Sequence, residues 1–138
     1  MKFRNLALLL VVLSAIAIAG CTTSQHSQQK IVRISADEAY RLIETHKSDP
    51  NFVVLDIRTP QEYNAGHIEN AININFYDPA FKQKLNKLDK DRIYVVYCRT
   101  GHRSDLAMPV FRGLGFREVY EINGGIVAWV KAGYGVVG

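Results

Sequence analysis
An apolar run, Tyr94-Val95-Val96-Tyr97, ends at Cys98 and leads into Arg99-Thr100-Gly101-His102-Arg103-Ser104. Read as a strand, a tight loop and a helix start, this stretch is a cradle for an anion. The amides of residues 99–104 can converge as a nest, and the helix behind them adds its positive end. The same field favours thiolate at Cys98. Helix N-termini and neighbouring arginines bring a thiol from about 8.5 into the range of roughly 3.5–7.5. A free cysteine is most often a small core residue. Two arginines, a glycine and a helix start packed around this one argue for a nucleophile instead. Arg99 and Arg103 offer forked donors suited to an oxyanion, with Thr100, Gly101 and His102 between them as the rest of the anion-binding loop.

Several elements must bring that loop into place. Ile31–Ile34 reads as a strand, and Ser35-Ala36-Asp37-Glu38 has the spacing of a capping box opening a helix with Ala39, Leu42 and Ile43 on one face. Asp49-Pro50 turns the chain. Phe52–Asp56 is a continuous apolar run of the kind buried on both faces of a parallel sheet. Thr59-Pro60-Gln61-Glu62 combines an N-cap, a proline at the first helical position and an acid at the third. Gly66-His67-Ile68 breaks that short helix, and Ala71–Ile74 is the next strand. Asp78–Leu88 carries Phe81, Leu85 and Leu88 at helical spacing, with Lys82, Lys84, Lys87 and Lys90 forming a solvated face. Arg92–Tyr97 delivers Cys98. Beyond the loop, Leu106, Val110 and Leu114 mark an amphipathic helix. Pro109, too deep for a first turn, predicts a kink or an early end to it. Phe116–Ile122 is the last strand, and Gly124-Gly125 opens a short helix carrying Ile126, Trp129 and Val130, with Trp129 in the core. Strands alternating with helices about five times predict an α/β domain: a central parallel sheet of about five strands with helices on both faces. Ligands of such sheets sit beyond the carboxyl ends of the strands, where Cys98 lies.

The loop spacing separates chemistries. Phosphatases with a cysteine in such a loop carry Cys-x5-Arg, whereas here the run is Cys98-x4-Arg103. The shorter loop is too tight for a phosphoryl group yet can enclose one extra sulfur on Cys98. In this the chain resembles the rhodanese-like sulfurtransferases, whose six-residue active-site loop starts with the persulfide-forming cysteine. Asp56-Ile57-Arg58 through Glu62-Tyr63, then Gly66-His67-Ile68 and Ala71–Ile74, is similar to that family's first signature. Gly125 followed by Trp129 matches its closing element. The resemblance runs from Ile31 to about Gly133 and implies a rhodanese-like fold with Cys98 as nucleophile. It also implies a basic last loop residue, Arg103, for loop closure and substrate charge. Residues of the first signature are mostly structural in the family. Accordingly Asp56 and Arg58 are expected to pair at a strand end, and His67 to satisfy loop backbone groups.

At the other end, Lys2 and Arg4 precede an apolar run from Leu6 to Ala19 that closes on Ile18-Ala19-Gly20-Cys21. A basic start, a short apolar stretch and small residues before a cut describe a secretory signal, and the run is short for a span of about 20 residues. The small-small-Cys ending resembles the bacterial lipobox, which implies lipidation at Cys21, more than one acyl chain and hence stable anchoring. Thr22 follows where an inner-membrane retention signal would place Asp. The expected organisation is a lipoprotein signal at 1–20, a polar linker at 21–30 and the domain at 31–138. The expected location is the periplasmic face of the cell envelope, on the outer rather than the inner membrane. Formal charge is +4 over the whole chain, and the two basic residues before Cys21 account for half of it. A balance that near neutral gives no argument for nucleic acid. Of the two cysteines one is assigned to lipid, so Cys98 is the sole thiol, with neither a disulfide framework nor a resolving thiol. The four histidines stand apart from each other and from the cysteines, and no metal or other cofactor is expected.

The function expected is sulfur transfer: Cys98 thiolate takes the sulfane sulfur of a small anionic donor such as thiosulfate, then yields it to cyanide or a thiol. Arg99 would recruit the donor, and His102, facing solvent, has no proton to move. A membrane-tethered persulfide carrier or interaction module with little turnover is the alternative from the binding class. A phosphatase or arsenate-reductase activity is the third, opposed by the short loop. An oxidising compartment exposes a lone thiolate to sulfenic acid or mixed disulfides, for which a reducing partner protein is one answer.

Overall fold
The computed structural model describes residues 28–138, so the apolar segment Leu6–Ala19 and Cys21 lie outside the described residues. Ten elements alternate along the chain. They are β1 (Lys30–Ile34), α1 (Ala36–Thr45), β2 (Phe52–Asp56), α2 (Pro60–Asn64), β3 (Ile72–Asn73), α3 (Phe81–Asn86), β4 (Ile93–Tyr97), α4 (His102–Gly113), β5 (Glu118–Ile122) and α5 (Gly125–Lys131). The sheet order is β1-β5-β4-β2-β3, and every pairing is parallel. The expected α/β architecture is what the chain adopts.

Alternation along the central strands divides the core. Tyr94, Val96 and Cys98 face one side with Leu55, Ile57 and Val119, covered by α3 and α4. Val95 and Tyr97 face the other with Val54, Tyr120 and Ile122, covered by α1 and α5. Both expected helix starts form complete capping boxes, Ser35 with Glu38 and Thr59 with Glu62. Each satisfies otherwise orphaned amides at the helix end. Trp129 is buried in the α1/α5 layer, and its indole N–H donates to the Gly135 carbonyl at 2.9 Å.

Helix α4 departs from expectation twice. It runs on through Pro109 to Gly113, so the early end predicted there does not occur. Pro109 and Asp105 are both exposed, and the Asp105 carbonyl left without its N–H partner can bond water instead. The buried face is Ser104, Ala107, Met108 and Phe111, whereas Leu106 is 52 % exposed. The helix phase is set by the loop that precedes it. With Ser104 drawn in toward Cys98, residues three, four and seven positions later must also face inward.

Candidate active site
The loop after β4 is held from two sides. Behind it, the amide of Ile126 donates to the Cys98 carbonyl at 2.9 Å and that of Val127 to Arg99 O at 3.1 Å, so the first turn of α5 fixes the backbone at Cys98 and Arg99. That approach demands glycine. Gly125 has φ +59°, and a Cβ there would stand 2.4 Å from the Cys98 carbonyl oxygen. Gly101 turns the chain into α4 with φ +98°. Beside the loop, β2 is tied to β4 where Ile57 N donates to Tyr97 O at 3.0 Å.

Cys98 is 1 % exposed and packs in the core layer under α3 and α4, while its Sγ is met by groups of its own loop. The Gly101 amide donates to Sγ at 3.1 Å, and Ser104 Oγ stands 3.5 Å away. Burial pushes the Cys98 thiol up. The Ser104 hydroxyl and the amides of Ser104, Gly101 and Thr100 favour the charged sulfur and outweigh burial, so the thiol sits below its ordinary value. The inward amides are thus a property of the folded loop, and the field they make is aimed at sulfur.

The flanking residues divide by exposure. Arg99, Thr100 and His102 are exposed, and Gly101 and Arg103 are half-buried. Arg103 forks onto Glu62, with Nη1 to Oε2 and Nη2 to Oε1 both at 2.8 Å. Glu62 Oε2 also accepts from the Thr59 amide at 3.0 Å, so one carboxylate caps α2 and holds the last residue of the loop. The Arg103 guanidinium first, helped by the Thr59 amide and hydroxyl, brings the Glu62 carboxyl down to about 2 against the opposing effect of burial. Arg103 therefore acts in this structure as a brace between α2 and α4, with its charge beside Cys98.

Asp56, Arg58 and His67 lie behind the loop. Arg58 Nη2 donates to Asp56 Oδ2 and to Gly66 O, each at 2.6 Å, joining the end of β2 to the turn after α2. His67 Nδ1 is 2.9 Å from Tyr63 O, and its ring stacks on Tyr63 at 3.8 Å. The His67 backbone exchanges two 2.8 Å hydrogen bonds with Val137. None of these side chains reaches the sulfur. Among the described residues no group of three or more His, Cys, Asp and Glu is placed to hold a metal. A groove of about 410 Å³ between α1, β2 and the C-terminal tail is lined by Tyr40, His46, Phe52 and Val136 and includes no residue of the loop.

Two side chains not assigned from the sequence join the site: Ser104, 0 % exposed, and Glu121 of β5, 1 % exposed. Ser104 Oγ donates to Glu121 Oε1 at 2.7 Å. The sequence does carry a signal for Glu121, an acid inside the apolar strand Val119-Tyr120-Glu121-Ile122, since an acid is almost never fully buried without a partner.

The description "Rhodanese-like domain" matches residues 35–132. The chain is 28% identical over 122 residues to rhodanese-like domain-containing protein 17 of Arabidopsis thaliana, covering 80% of this chain and 75% of the relative. It is 34% identical over 85 residues to a protein of Allochromatium vinosum named sulfurtransferase, covering 62% and 78%. Among solved structures, a rhodanese-related protein from Thermoplasma volcanium superposes with a TM-score of 0.65 at 34% identity, covering 76% of this chain and 96% of that one. With this family match across most of the described residues and a five-stranded parallel sheet presenting a cysteine loop, the chain belongs to the rhodanese-like domain family.

Proposed function
We propose that the protein is a sulfurtransferase that carries sulfane sulfur as a persulfide on Cys98. The observation that carries the reading is the convergence of the loop on Sγ, with the Gly101 amide at 3.1 Å. A donor such as thiosulfate presents its outer sulfur to the Cys98 thiolate. The new S–S bond forms as the donor's S–S bond breaks, and sulfite leaves with the electron pair. The terminal sulfur, now bearing the negative charge, rests among fixed N–H dipoles that need no reorganisation. Cyanide or a thiolate acceptor then attacks that sulfur and releases Cys98 as thiolate, a ping-pong sequence that needs no metal and no general base on sulfur. Arg99, exposed beside the loop, meets the anionic donor. The sulfurtransferase name of the Allochromatium vinosum relative supports transfer in general. Thiosulfate as donor is part of the proposal. Cys98→Ser should reduce thiosulfate:cyanide transfer to background, while Arg99→Ala should raise the KM for thiosulfate with a smaller effect on kcat. Full activity in Cys98→Ser would end the reading.

The 1 % exposure of Cys98 favours a second reading, a persulfide carrier with slow turnover on small donors. Intact-mass analysis separates the two: a stable single-sulfur adduct with negligible turnover is the carrier's signature. We further propose that Cys21 is lipidated and tethers the domain to the bacterial cell envelope, with a reducing partner protein restoring Cys98 after oxidation. Mass spectrometry of the membrane-extracted protein tests the lipid directly.

A further inference from the structure
Two carboxylates are buried among the described residues, Asp56 and Glu121. Asp56 is matched by Arg58 at the end of β2. Glu121 is different, because one of its oxygens is tied to the residue that touches the nucleophile. Oε2 accepts from Arg33 Nε of β1 at 2.7 Å, and Oε1 accepts from Ser104 Oγ at 2.7 Å. Ser104 Oγ in turn is 3.5 Å from Cys98 Sγ.

A serine hydroxyl has one hydrogen, and here three acceptors surround it: Glu121 Oε1 at 2.7 Å, Gly101 O at 3.1 Å and Cys98 Sγ at 3.5 Å. The charged acceptor at the shortest distance holds it. While Glu121 holds it, the hydroxyl cannot give Sγ the hydrogen bond that favours the thiolate, and Cys98 meets the oxygen as an S–H donor. A thiolate at Cys98 has to draw that hydrogen away from Glu121, or else sit without it. In either case two negative charges lie no more than about 6 Å apart across a buried hydroxyl, the legs being 3.5 and 2.7 Å.

The other charged groups around them are few. Arg33 is the counter-ion of Glu121 and also pairs with Asp105 of α4. Arg103 places positive charge near Cys98 from the start of α4 and is itself paired with Glu62 of α2. Arg99 and His102 on the loop are exposed, and the opening of α5 offers only main chain.

We propose that Glu121, anchored by Arg33, is a positioning residue that acts through the Ser104 hydroxyl to oppose negative charge on Cys98 Sγ. It sets a counterweight to the loop amides. For the sulfur-carrier reading, on which this consequence rests, the effect has a direction. A persulfide carries its charge on the outer sulfur, about 2 Å beyond Sγ and farther from Glu121. Glu121 therefore raises the energy of the resting thiolate more than that of the loaded form, and favours loading.

The test is the pH profile of Cys98 alkylation by iodoacetamide, read on the tryptic peptide carrying Cys98. Glu121→Gln should move the midpoint down by about one pH unit, a tenfold gain in the thiolate:thiol ratio below the midpoint. In a Ser104→Ala background the same substitution should move it by less than half as much, which is the coupling that assigns the effect to the hydroxyl. A profile that stays put, moves up, or moves equally in both backgrounds overturns the proposal. A measurement on the unaltered chain guards against a variant that does not fold. The Glu121 carboxyl ¹³C shift should show a step at the Cys98 midpoint that vanishes in Cys98→Ser, and its absence overturns the proposal too. Alkylation needs no sulfur donor, so failure of thiosulfate turnover would refute the transferase reading and leave this result standing.

Discussion
Cys98 combines near-complete burial with a loop that favours its charged form, and these two effects pull its proton in opposite directions. The Ser104 hydroxyl and the loop amides together win, the amides being fixed in place before any charge appears. Any reaction that needs the thiolate should rise with pH through a midpoint below the roughly 8.5 of a free cysteine. Alkylation rates of the unaltered chain against pH check this, and a midpoint above that value would mean that burial dominates. Glu62 gives a second pH signature of opposite chemistry. Its folded-state value is lowered from 4.5 to about 2, chiefly by Arg103. The stabilisation it contributes is fully present above about 4.5 and is lost as pH falls from there toward about 2. Urea unfolding across that window should show a slope that Glu62→Gln flattens. Since Arg103 is the last residue of the loop, the same variant should also lower sulfur transfer at neutral pH.

Among the elements, those with local signals were the most legible. Both capping boxes, the apolar run Phe52–Asp56 and the glycine pair that opens α5 each fix their conformation from a few adjacent residues, and each stands where the sequence places it. Strand limits differ by one or two residues, which lies within the fraying of element ends. In helix α4, Val110 and Leu114 pack on the core as their spacing predicts, but Leu106 is exposed because the helix phase comes from the turn at Gly101 and the inward pull on Ser104, neither of which that spacing shows. Glu121 and Ser104 meet only because β5 lies beside β4 in the sheet, a pairing no local pattern encodes. Two substitutions test the elements around the site. Pro109→Ala restores an N–H for the Asp105 carbonyl at an exposed position. The regained bond outweighs the looser unfolded chain, so thermal unfolding should show a gain of about 1–2 kcal/mol with transfer unchanged. Gly125→Ala should do the reverse. Its Cβ would collide with the carbonyls of Cys98 and Arg99, 2.4 and 2.5 Å away, at a φ that side chains rarely adopt. A loss on the order of 2 kcal/mol or more is expected, together with loss of transfer as α5 is pushed off the loop.

At the scale of the whole molecule, the parallel sheet separates the ends of its strands into two functionally different edges. Lys30 pairs with Glu118, Glu118 with Ile93 and Ile93 with Phe52, so four strands begin together at one edge. Cys98 follows Tyr97 at the other, five residues and about 17 Å away along the strand. The chain enters the domain at the first edge. A lipid on Cys21, as proposed, would therefore hold the domain by the side opposite Cys98. The eight residues from Thr22 to Gln29 reach at most about 28 Å when fully extended, enough to let the first edge stand at the bilayer while the loop faces outward. The consequence is measurable without knowing the physiological acceptor. Lipidated protein reconstituted into vesicles should react at Cys98 with a membrane-impermeant maleimide at the same rate as protein released in detergent. If the loop instead seats against the lipid surface, the bound form will react severalfold more slowly, and the edge-to-edge separation would then not describe how the domain meets its acceptor.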